Sequence, residues 1–165
     1  MQSSPRHEVV DIVDSNDVVV RTVTRRQMRA ERLRHRAVFI AVVHPDGRLL
    51  IHRRSDAKDV WPGWWDLAVG GVVSAGETYD DAARREVREE IGIDAEPEPL
   101  DGGGAYEDAD VSLIGRCYRV VHPGPFTFAD GEVVHAEWIE LAELDLEARR
   151  YLPDSCALLL PLLRP

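Results

Sequence analysis

The sequence predicts an α+β fold in which helices pack on a mixed β-sheet. Three observations support this prediction. Strand-like segments outnumber helix-like segments and are interspersed with them along the chain. Residues 37–43 (AVFIAVV) are almost continuously apolar, as expected of a strand that is buried on both faces. Ala83, Val87 and Ile91 recur every four residues, which is the spacing of a helix that buries one side.

Seven segments have the composition of β-strands. They are rich in Val, Ile and other β-branched or aromatic residues, and turn-forming residues separate them. In chain order they span residues 8–13, 17–23, 37–43, 48–54, 67–73, 111–122 and 133–140. The first two flank a polar turn and predict an N-terminal β-hairpin over residues 8–25. Gly70 and Gly71 interrupt the fifth segment, which indicates that its backbone approaches another group closely.

Two helices are predicted from their capping signals. Thr24 and Gln27 have the spacing of a capping box, ahead of a short helix over residues 26–33. Thr78 precedes the main helix, where acidic residues in the first turn suit the positive end of the helix dipole. Gly92 is a natural C-terminal stop for this helix.

The C-terminal half is predicted to contain a loop and two further helices. Residues 95–104 are rich in Pro and Gly and predict a loop. Residues 141–150 predict a short helix, and residues 153–160 predict a final apolar helix that begins with a proline. The sequence shows no internal repeat and no domain boundary. We therefore expect one domain over residues 1–165, of which residues 1–7 are expected to be flexible.

The composition indicates which binding partners and which cellular compartment are expected. The chain has 165 residues and a formal net charge of −10. This charge argues against nucleic acid polymers and anionic membranes as partners. It is compatible with a small polyanionic partner that is held through a metal ion. Cys117 and Cys156 form neither a disulfide framework nor a zinc motif, the first ten residues contain no apolar core of signal-peptide length, and no apolar run reaches transmembrane length. We therefore expect a cytoplasmic protein that acts on a small molecule, and the sequence leaves a homodimer open.

The segment from Gly71 to Ile93 carries the main chemical signal. Glu86, Glu89 and Glu90 stand at positions i, i+3 and i+4, so they share one face of the predicted helix. Carboxylates this close destabilise a helix and raise one another's pKa values, unless a divalent cation binds them together. A surface helix with many salt bridges would explain the charges, but it would not explain the glycines at both ends.

The same segment matches the Nudix box, and the chain therefore resembles the Nudix hydrolases. The matching residues are Gly71, Glu77, Arg85, Glu86, Val87, Glu89, Glu90, Gly92 and Ile93. The resemblance implies an α/β/α sandwich, with the box helix packed on a mixed central sheet. It also implies a bound Mg²⁺ or Mn²⁺ ion. The implied reaction is hydrolysis of a diphosphate bond in a nucleoside diphosphate that is linked to another moiety.

The resemblance assigns roles to individual residues. The implied metal ligands are the carbonyl of Gly70 and the carboxylates of Glu86, Glu89 and Glu90. Arg85 and Glu77 are expected to tie the loop to the helix. Two residues compete for the role of general base: Glu89 within the box, and Glu132, which stands six residues ahead of Trp138. Glu132 is expected to act as the base or as an additional metal ligand, or else to be a solvated acid in a turn.

The flanks of the box resemble the branch of the family that is similar to isopentenyl-diphosphate isomerase. The segments LRHRAVFIAV, GRLLIHRRSDAKDVWPGWWD and GGVVSAGE carry this resemblance. It implies that Arg54 and Lys58 bind a substrate diphosphate, although both could also be solvent-exposed loop charges. The isomerase cysteine falls at Gly70, and two of its histidine ligands fall at Val72 and Met28. We therefore do not expect isomerase activity, and a non-catalytic nucleotide-binding module is a further alternative.

Five other residues each allow a functional and a structural interpretation. His35 is the one histidine retained from the isomerase pattern, and it serves either as a ligand or as a buried structural histidine. Tyr106, Trp61, Trp64 and Trp65 could stack on a base, or they could anchor loops and the core. The downstream signatures of several Nudix subfamilies are absent, so the sequence does not specify the substrate.

Overall fold

The computed structural model describes residues 8–128 and 131–164, so the prediction for residues 1–7 lies outside the described part of the chain. The strands within these ranges are β1 Val9–Val13, β2 Val19–Thr24, β3 His35–Val43, β4 Leu49–Arg54, β5 Trp65–Asp66, β6 Val69–Val72, β7 Glu98–Glu107, β8 Ser112–Val121 and β9 Val133–Ile139. The helices are α1 Arg25–Ala30, α2 Tyr79–Ile91, α3 Pro153–Leu158 and α4 Leu160–Leu163, and a 3₁₀ turn spans Leu141–Glu143. No helix in these ranges is long and apolar enough to cross a membrane.

Strand β3 lies at the centre of a mixed sheet. It pairs in parallel with β8 over nine residues and antiparallel with β1, β4 and β6. The order β2-β1-β3-β4-β5 forms one path, while β7 pairs with β8 and β9 pairs with β4. The N-terminal strands β1 and β2 pair antiparallel as a hairpin. The predicted mixed sheet with an N-terminal hairpin is therefore confirmed.

Alternate side chains of β3 face two separate cores. Phe39 belongs to a cluster that also contains Leu159 from the C-terminal helices. Ile40 belongs to a second cluster that contains Val87 and Ile91 from α2. Because successive side chains of a strand point to opposite faces, the run 37–43 must be apolar throughout. Helices cover both faces of the sheet, which confirms the predicted α/β/α sandwich.

Helix α2 forms as its capping signals predict. The hydroxyl of Thr78 accepts a hydrogen bond from the Asp81 amide at 3.1 Å. Gly92 ends the helix in the left-handed conformation, with φ of +69°. Val87 and Ile91 are fully buried, so the four-residue repeat does mark the face that packs on the sheet.

The predicted loop at residues 95–104 is wrong. Residues from Glu98 onward form β7, which pairs antiparallel with β8. The register shifts between Pro99 and Gly103, and three successive glycines at 102–104 adopt positive φ angles. The glycines therefore allow an irregular stretch inside a strand, where the sequence alone suggested that they end one.

The predicted helix at residues 141–150 is also wrong. Only Leu141–Glu143 forms a 3₁₀ turn, without a side-chain cap. Arg149 instead lies 4.0 Å above the ring of Trp65 and is hydrogen bonded to Glu137. These contacts with the sheet hold the segment in a non-helical path. The final helix forms as two pieces, α3 and α4, and Pro161 lies in the first turn of the second piece.

Candidate active site

Arg85 joins the loop before α2 to the acidic face of the helix. Its Nε and Nη2 atoms donate to the two oxygens of Glu77 at 2.8 and 2.9 Å, and Nη2 also donates to the carbonyl of Val72. Its Nη1 atom donates to Glu86 at 2.8 Å and to Glu89 at 3.2 Å. The hydrogen bonds to Glu77 and the charge of Glu86 raise the pKa of Arg85, so it remains a cation. Arg85 and Glu77, which were predicted to join the loop to the helix, are thus in direct contact.

The carboxylate of Glu86 occupies space beside Gly71 that is free because glycine has no Cβ atom. Its side chain comes from α2 and is only 8% exposed. A Cβ atom on Gly71 would lie 2.7 Å from its Oε1 atom, so any larger residue there would displace the carboxylate. Burial raises the pKa of Glu86 to about 7 even though the adjacent Arg85 favours the charged form.

Glu90 faces the strand that precedes the box. Its Oε2 atom accepts a hydrogen bond from the amide of Gly70 at 3.4 Å. Burial raises the pKa of Glu90, and the neighbouring charge of Glu86 raises it further. Arg85 pairs with Glu86, whereas Glu90 has only the Gly70 amide as a hydrogen-bond partner among the described residues.

This set of donors suits a hard divalent cation, which binds carboxylate and carbonyl oxygens. In the part of the chain that the structure describes, no three acidic, histidine or cysteine side chains are gathered at coordinating distance. Glu86 and Glu89 are turned toward Arg85 instead. Side-chain rotation would therefore be needed for Glu86, Glu89 and Glu90 to bind one ion. Burial favours the protonated form of Glu86 and Glu90, and a bound cation would offset this by stabilising their charged carboxylates.

A narrow cleft lies beside the end of α2. It is lined by His52, Arg54, Lys58, Asp66, Gly70, Glu90, Glu132 and Val133. Five of these residues were predicted from the sequence as substrate, metal or catalytic residues. They come from four separate segments, and the tertiary structure brings them together. Glu86, Glu89 and Arg85 lie next to the cleft and do not line it.

Lys58 and Glu132 meet across this cleft. The Nζ atom of Lys58 donates to Oε2 of Glu132 at 2.8 Å. The carbonyl of Glu132 also accepts a hydrogen bond from the amide of Ser55. Glu132 is thus attached to the loop that carries Lys58, and it is not simply a solvated turn residue.

Arg54 is held by protein groups on the inner side of the cleft. Its Nη2 atom donates to the carbonyl of Val60 at 3.1 Å, and its Nη1 atom lies 3.9 Å from Asp66. Its buried Nε atom has no hydrogen-bond partner among the described residues. Arg54 is therefore a largely buried cation at the predicted diphosphate position, rather than an exposed loop charge.

His52 and Asp66 line the cleft but were not predicted from the sequence. His52 is buried in β4, and its Nδ1 atom has no hydrogen-bond partner among the described residues. Asp66 accepts hydrogen bonds from the hydroxyl of Ser155 at 2.6 Å and from the amide of Ala68. A histidine within the apolar strand LLIHRR was an available signal. Asp66 had no comparable signal, because its burial depends on α3.

His35 occupies a different part of the fold. Its Nδ1 atom lies 3.0 Å from the carbonyl of Leu33, and burial lowers its pKa to about 4. Neutral, buried and hydrogen bonded to the backbone, His35 has the environment of a structural histidine. Of the four aromatic residues considered as stacking platforms, Trp65 packs against Arg149 and Tyr106 donates to Asp108.

Comparison with known proteins agrees with this fold. A model of the NUDIX domain matches residues 33–157. A Nudix hydrolase of Yersinia pestis is 39% identical over 148 residues, which cover 90% of this chain and 81% of the relative. The Nudix hydrolase YfcD of Escherichia coli K12 is 38% identical over 148 residues, 90% of this chain and 82% of the relative. The crystal structure of DR0079 from Deinococcus radiodurans matches with a TM-score of 0.65 and 29% identity, and covers 82% of this chain and 85% of that chain.

A sandwich with an acidic box helix beside a cleft that contains both cations and carboxylates is the arrangement of an enzyme that cleaves phosphoanhydrides. The chain belongs to the Nudix family of pyrophosphohydrolases. Members of this family generally use divalent metal ions, and they hydrolyse pyrophosphate bonds. The more specific resemblance to the isomerase branch stays a prediction.

Proposed function

We propose that the protein hydrolyses a diphosphate bond in a nucleoside diphosphate linked to another moiety, with Mg²⁺ or Mn²⁺ as the cofactor. One observation carries this proposal: Arg54 and Lys58 line the same cleft as Gly70, Glu90 and Glu132. Cations suited to phosphate oxygens and acids suited to a metal ion lie within one narrow space. A diphosphate bridging the two groups would be bound from both sides.

The residues that would hold the metal are Glu86, Glu89, Glu90 and the carbonyl of Gly70. When bound, the ion would neutralise charge on the phosphate oxygens and make an attacking water more acidic. Arg85 donates to Glu86 and Glu89 through its Nη1 atom, so it would release both carboxylates as they turn toward the ion. The fork of Arg85 also fixes the loop through Glu77, so this residue would support catalysis by holding the loop against the helix.

Two carboxylates are candidates for the general base. Glu132 lies in the cleft itself, which places it closer to the proposed phosphate position. Glu89 is more exposed and is hydrogen bonded to Arg85. This geometry favours Glu132 for accepting the proton of the attacking water, with Glu89 as a metal ligand. A phosphate that recruits Lys58 would also release the carboxylate of Glu132.

The geometry around Gly70 argues against prenyl-diphosphate isomerase activity. Gly70 has φ of +154°, and a Cβ atom at this position would overlap the carbonyl oxygen of Val38 in β3. The cysteine of the isomerases falls at this residue, and this backbone does not accept it. An assay with isopentenyl diphosphate is expected to show no isomerisation.

The proposed partner is a small phosphoanhydride rather than a nucleic acid polymer or a membrane. The net charge of −10 supports this choice, since polyanions and anionic surfaces would be repelled. We further propose that the protein acts in the cytoplasm.

Product release across a substrate panel would test the function. The panel contains nucleotide sugars, dinucleotides, coenzymes and nucleoside triphosphates, each with Mg²⁺ and with Mn²⁺. We expect at least one nucleoside diphosphate derivative to be cut at its diphosphate bond. Glu89→Gln and Glu90→Gln should lower turnover by at least about 100-fold, the scale of removing one preorganised charged group. Glu98→Gln is the matched control, because Glu98 is exposed in β7, outside the cleft, and forms an ion pair with Arg119.

Two results would contradict the proposal. Full turnover by Glu89→Gln and Glu90→Gln on the best substrate would remove the box acids from catalysis. A wild-type protein that is inert across the whole panel with both metals would favour the non-catalytic nucleotide-binding module.

A further inference from the structure

A second groove lies along the loop that follows Lys58. Its walls include Val60, Trp61, Pro62, Trp64, Arg29 and Asp59, and it encloses about 480 Å³. This volume falls within the range of small-molecule sites, about 300–1,000 Å³. The groove thus has room for a ring system that the narrow cleft cannot hold.

One loop connects the groove to the cleft. Lys58 lines the cleft, and the next residue, Asp59, lines the groove. Arg54 lines the cleft and donates a hydrogen bond to the carbonyl of Val60, which lines the groove. A molecule with its diphosphate beside Arg54 and Lys58 would therefore extend directly into the groove.

Two tryptophans give the groove an aromatic wall. The ring centroids of Trp61 and Trp64 lie 6.2 Å apart at an interplanar angle of 32°. Two rings stacked on both faces of a third must be separated by about 7 Å, twice the optimal contact distance of about 3.5 Å. A planar group therefore cannot enter between these tryptophans, but it can stack on the faces that line the groove.

The aromatic wall is not explained by core packing alone. Val60 and Trp61 pack in part against the main core cluster. Trp64 is not a member of any hydrophobic cluster in the described residues, and it contacts Trp61 and the guanidinium of Arg150. Trp61 also adopts a left-handed backbone conformation with φ of +46°. Such strain in a bulky residue is found where the surrounding structure has a reason to retain it.

Polar groups at the edge of the groove suit a heteroaromatic ring. The carboxylate of Asp59 lies 3.3 Å from the Nε atom of Arg29, and Asp110 lies on the same rim. Carboxylates accept hydrogen bonds from ring and amino N–H groups, and Arg29 can donate to ring oxygens or nitrogens. A purely hydrocarbon chain would make no use of the hydrogen-bonding groups on this rim.

We propose that this groove binds the nucleobase of the substrate, stacked on the tryptophan faces while the diphosphate lies in the cleft. This inference rests on the proposed function, because it places the base of a nucleoside diphosphate derivative. It assigns specificity for the nucleoside half of the substrate to the loop that runs from Asp59 to Trp64.

Calorimetric titration with two non-hydrolysable probes tests the inference. The probes are α,β-methylene-ADP, which has a base, and methylenediphosphonate, which has none, both with Mg²⁺. We expect Trp64→Ala to weaken α,β-methylene-ADP binding about 5- to 100-fold, the loss of one base–aromatic stack. Trp64→Phe should restore most of the affinity. The affinity for methylenediphosphonate should stay within about twofold of wild type, which also shows that the variant is folded.

The binding experiment has a matched control variant. Trp138→Ala removes an aromatic side chain that packs on Phe126, outside the groove, and it should leave both affinities unchanged. Equal affinity of both probes for wild type, or an unchanged affinity of Trp64→Ala for α,β-methylene-ADP, would overturn the groove inference alone. A wild-type protein that binds neither probe and cuts no diphosphate would overturn the proposed function as well.

Discussion

Lys58 and Glu132 form an ion pair across the cleft, with 2.8 Å between Nζ and Oε2. The two residues lie 74 positions apart in the chain and were assigned to different tasks, phosphate binding and catalysis. In this arrangement each neutralises the other. A diphosphate that attracts Lys58 would leave Glu132 free, so substrate binding and activation of the proposed base are coupled.

Lys58→Ala is expected to raise KM more than it lowers kcat. The lysine would bind the diphosphate in both the ground state and the transition state, so its loss weakens binding uniformly. A charged hydrogen bond is worth about 1.5–3 kcal/mol, which corresponds to an increase in KM of about 10-fold or more. Steady-state kinetics on the best substrate measures both constants. A fall in kcat at unchanged KM would show that Lys58 acts in the transition state.

Arg54→Ala is expected to raise KM more than it lowers kcat, and also to lower stability. Arg54 supports the carbonyl of Val60 and lies beside the buried Asp66. Its removal would leave these acceptors with fewer partners, at a cost of about 1–3 kcal/mol in the free energy of unfolding. Urea denaturation measures that cost. Arg53→Ala is the control, because Arg53 is the exposed neighbour, and a similar loss there would contradict the assignment.

Gly71→Ala is expected to weaken metal binding through Glu86. The new methyl group would lie 2.7 Å from the Glu86 Oε1 atom, so the carboxylate must move. We expect the affinity for Mn²⁺ to fall about 10-fold, comparable to the loss of a contact that orients a metal ligand. The double variant Gly71→Ala, Glu86→Ala should bind Mn²⁺ as weakly as Glu86→Ala alone. Additive losses would show that Gly71 acts on another group.

Metal affinity is expected to decrease as the pH falls through about 7. Burial raises the pKa of Glu86 to about 7 and raises that of Glu90. A protonated carboxyl group does not bind the ion, so protons compete with the metal below this pH. Calorimetric titration with Mn²⁺ between about pH 5.5 and 8 measures the effect, because this window spans the raised pKa of Glu86 and lies above the ordinary carboxyl range. An affinity that does not change over this range would exclude both residues as ligands with raised pKa values.

Asp154→Asn is expected to stabilise the fold at neutral pH. Burial, and then the charge of Asp66, raise the pKa of Asp154 from its ordinary 3.8 to about 7. Between these values the folded state binds more protons than the unfolded state, so wild-type stability decreases as the pH rises. The variant lacks this loss, and Asn can still accept the hydrogen bond from the Ser155 amide.

Urea denaturation at a series of pH values measures this difference in stability. The stability gained by Asp154→Asn should increase between pH 4 and pH 7, become constant above pH 7, and reach about 1–3 kcal/mol. A gain that is the same at pH 4 and pH 8 would contradict the proton linkage.

Local signals in the sequence were sufficient for the box helix and its ends. Thr78, the apolar repeat that includes Val87, and Gly92 act within a few residues of one another, so no distant contact is needed to read them. The predicted mixed sheet succeeded for a related reason. A run such as 37–43 is apolar on both faces only when both faces are covered.

Long-range pairing decided the elements that the sequence analysis missed. Residues 95–104 contain Pro and Gly, yet β7 forms there because β8 supplies hydrogen-bonding partners. Residues 141–150 have helical composition, yet Arg149 stacks on Trp65 instead. In both cases a contact with a distant strand outweighs a weak local preference.

The sequence by itself determined the family, the reaction class and the acids on one helix face, because the box is a contiguous segment with fixed spacing. Only the tertiary structure decided how the remaining residues are used. It paired Lys58 with Glu132, turned Arg54 toward Asp66, and brought His52 into the cleft. These relationships depend on how distant strands and loops approach one another, and residue spacing along the chain does not encode that approach in a readable form.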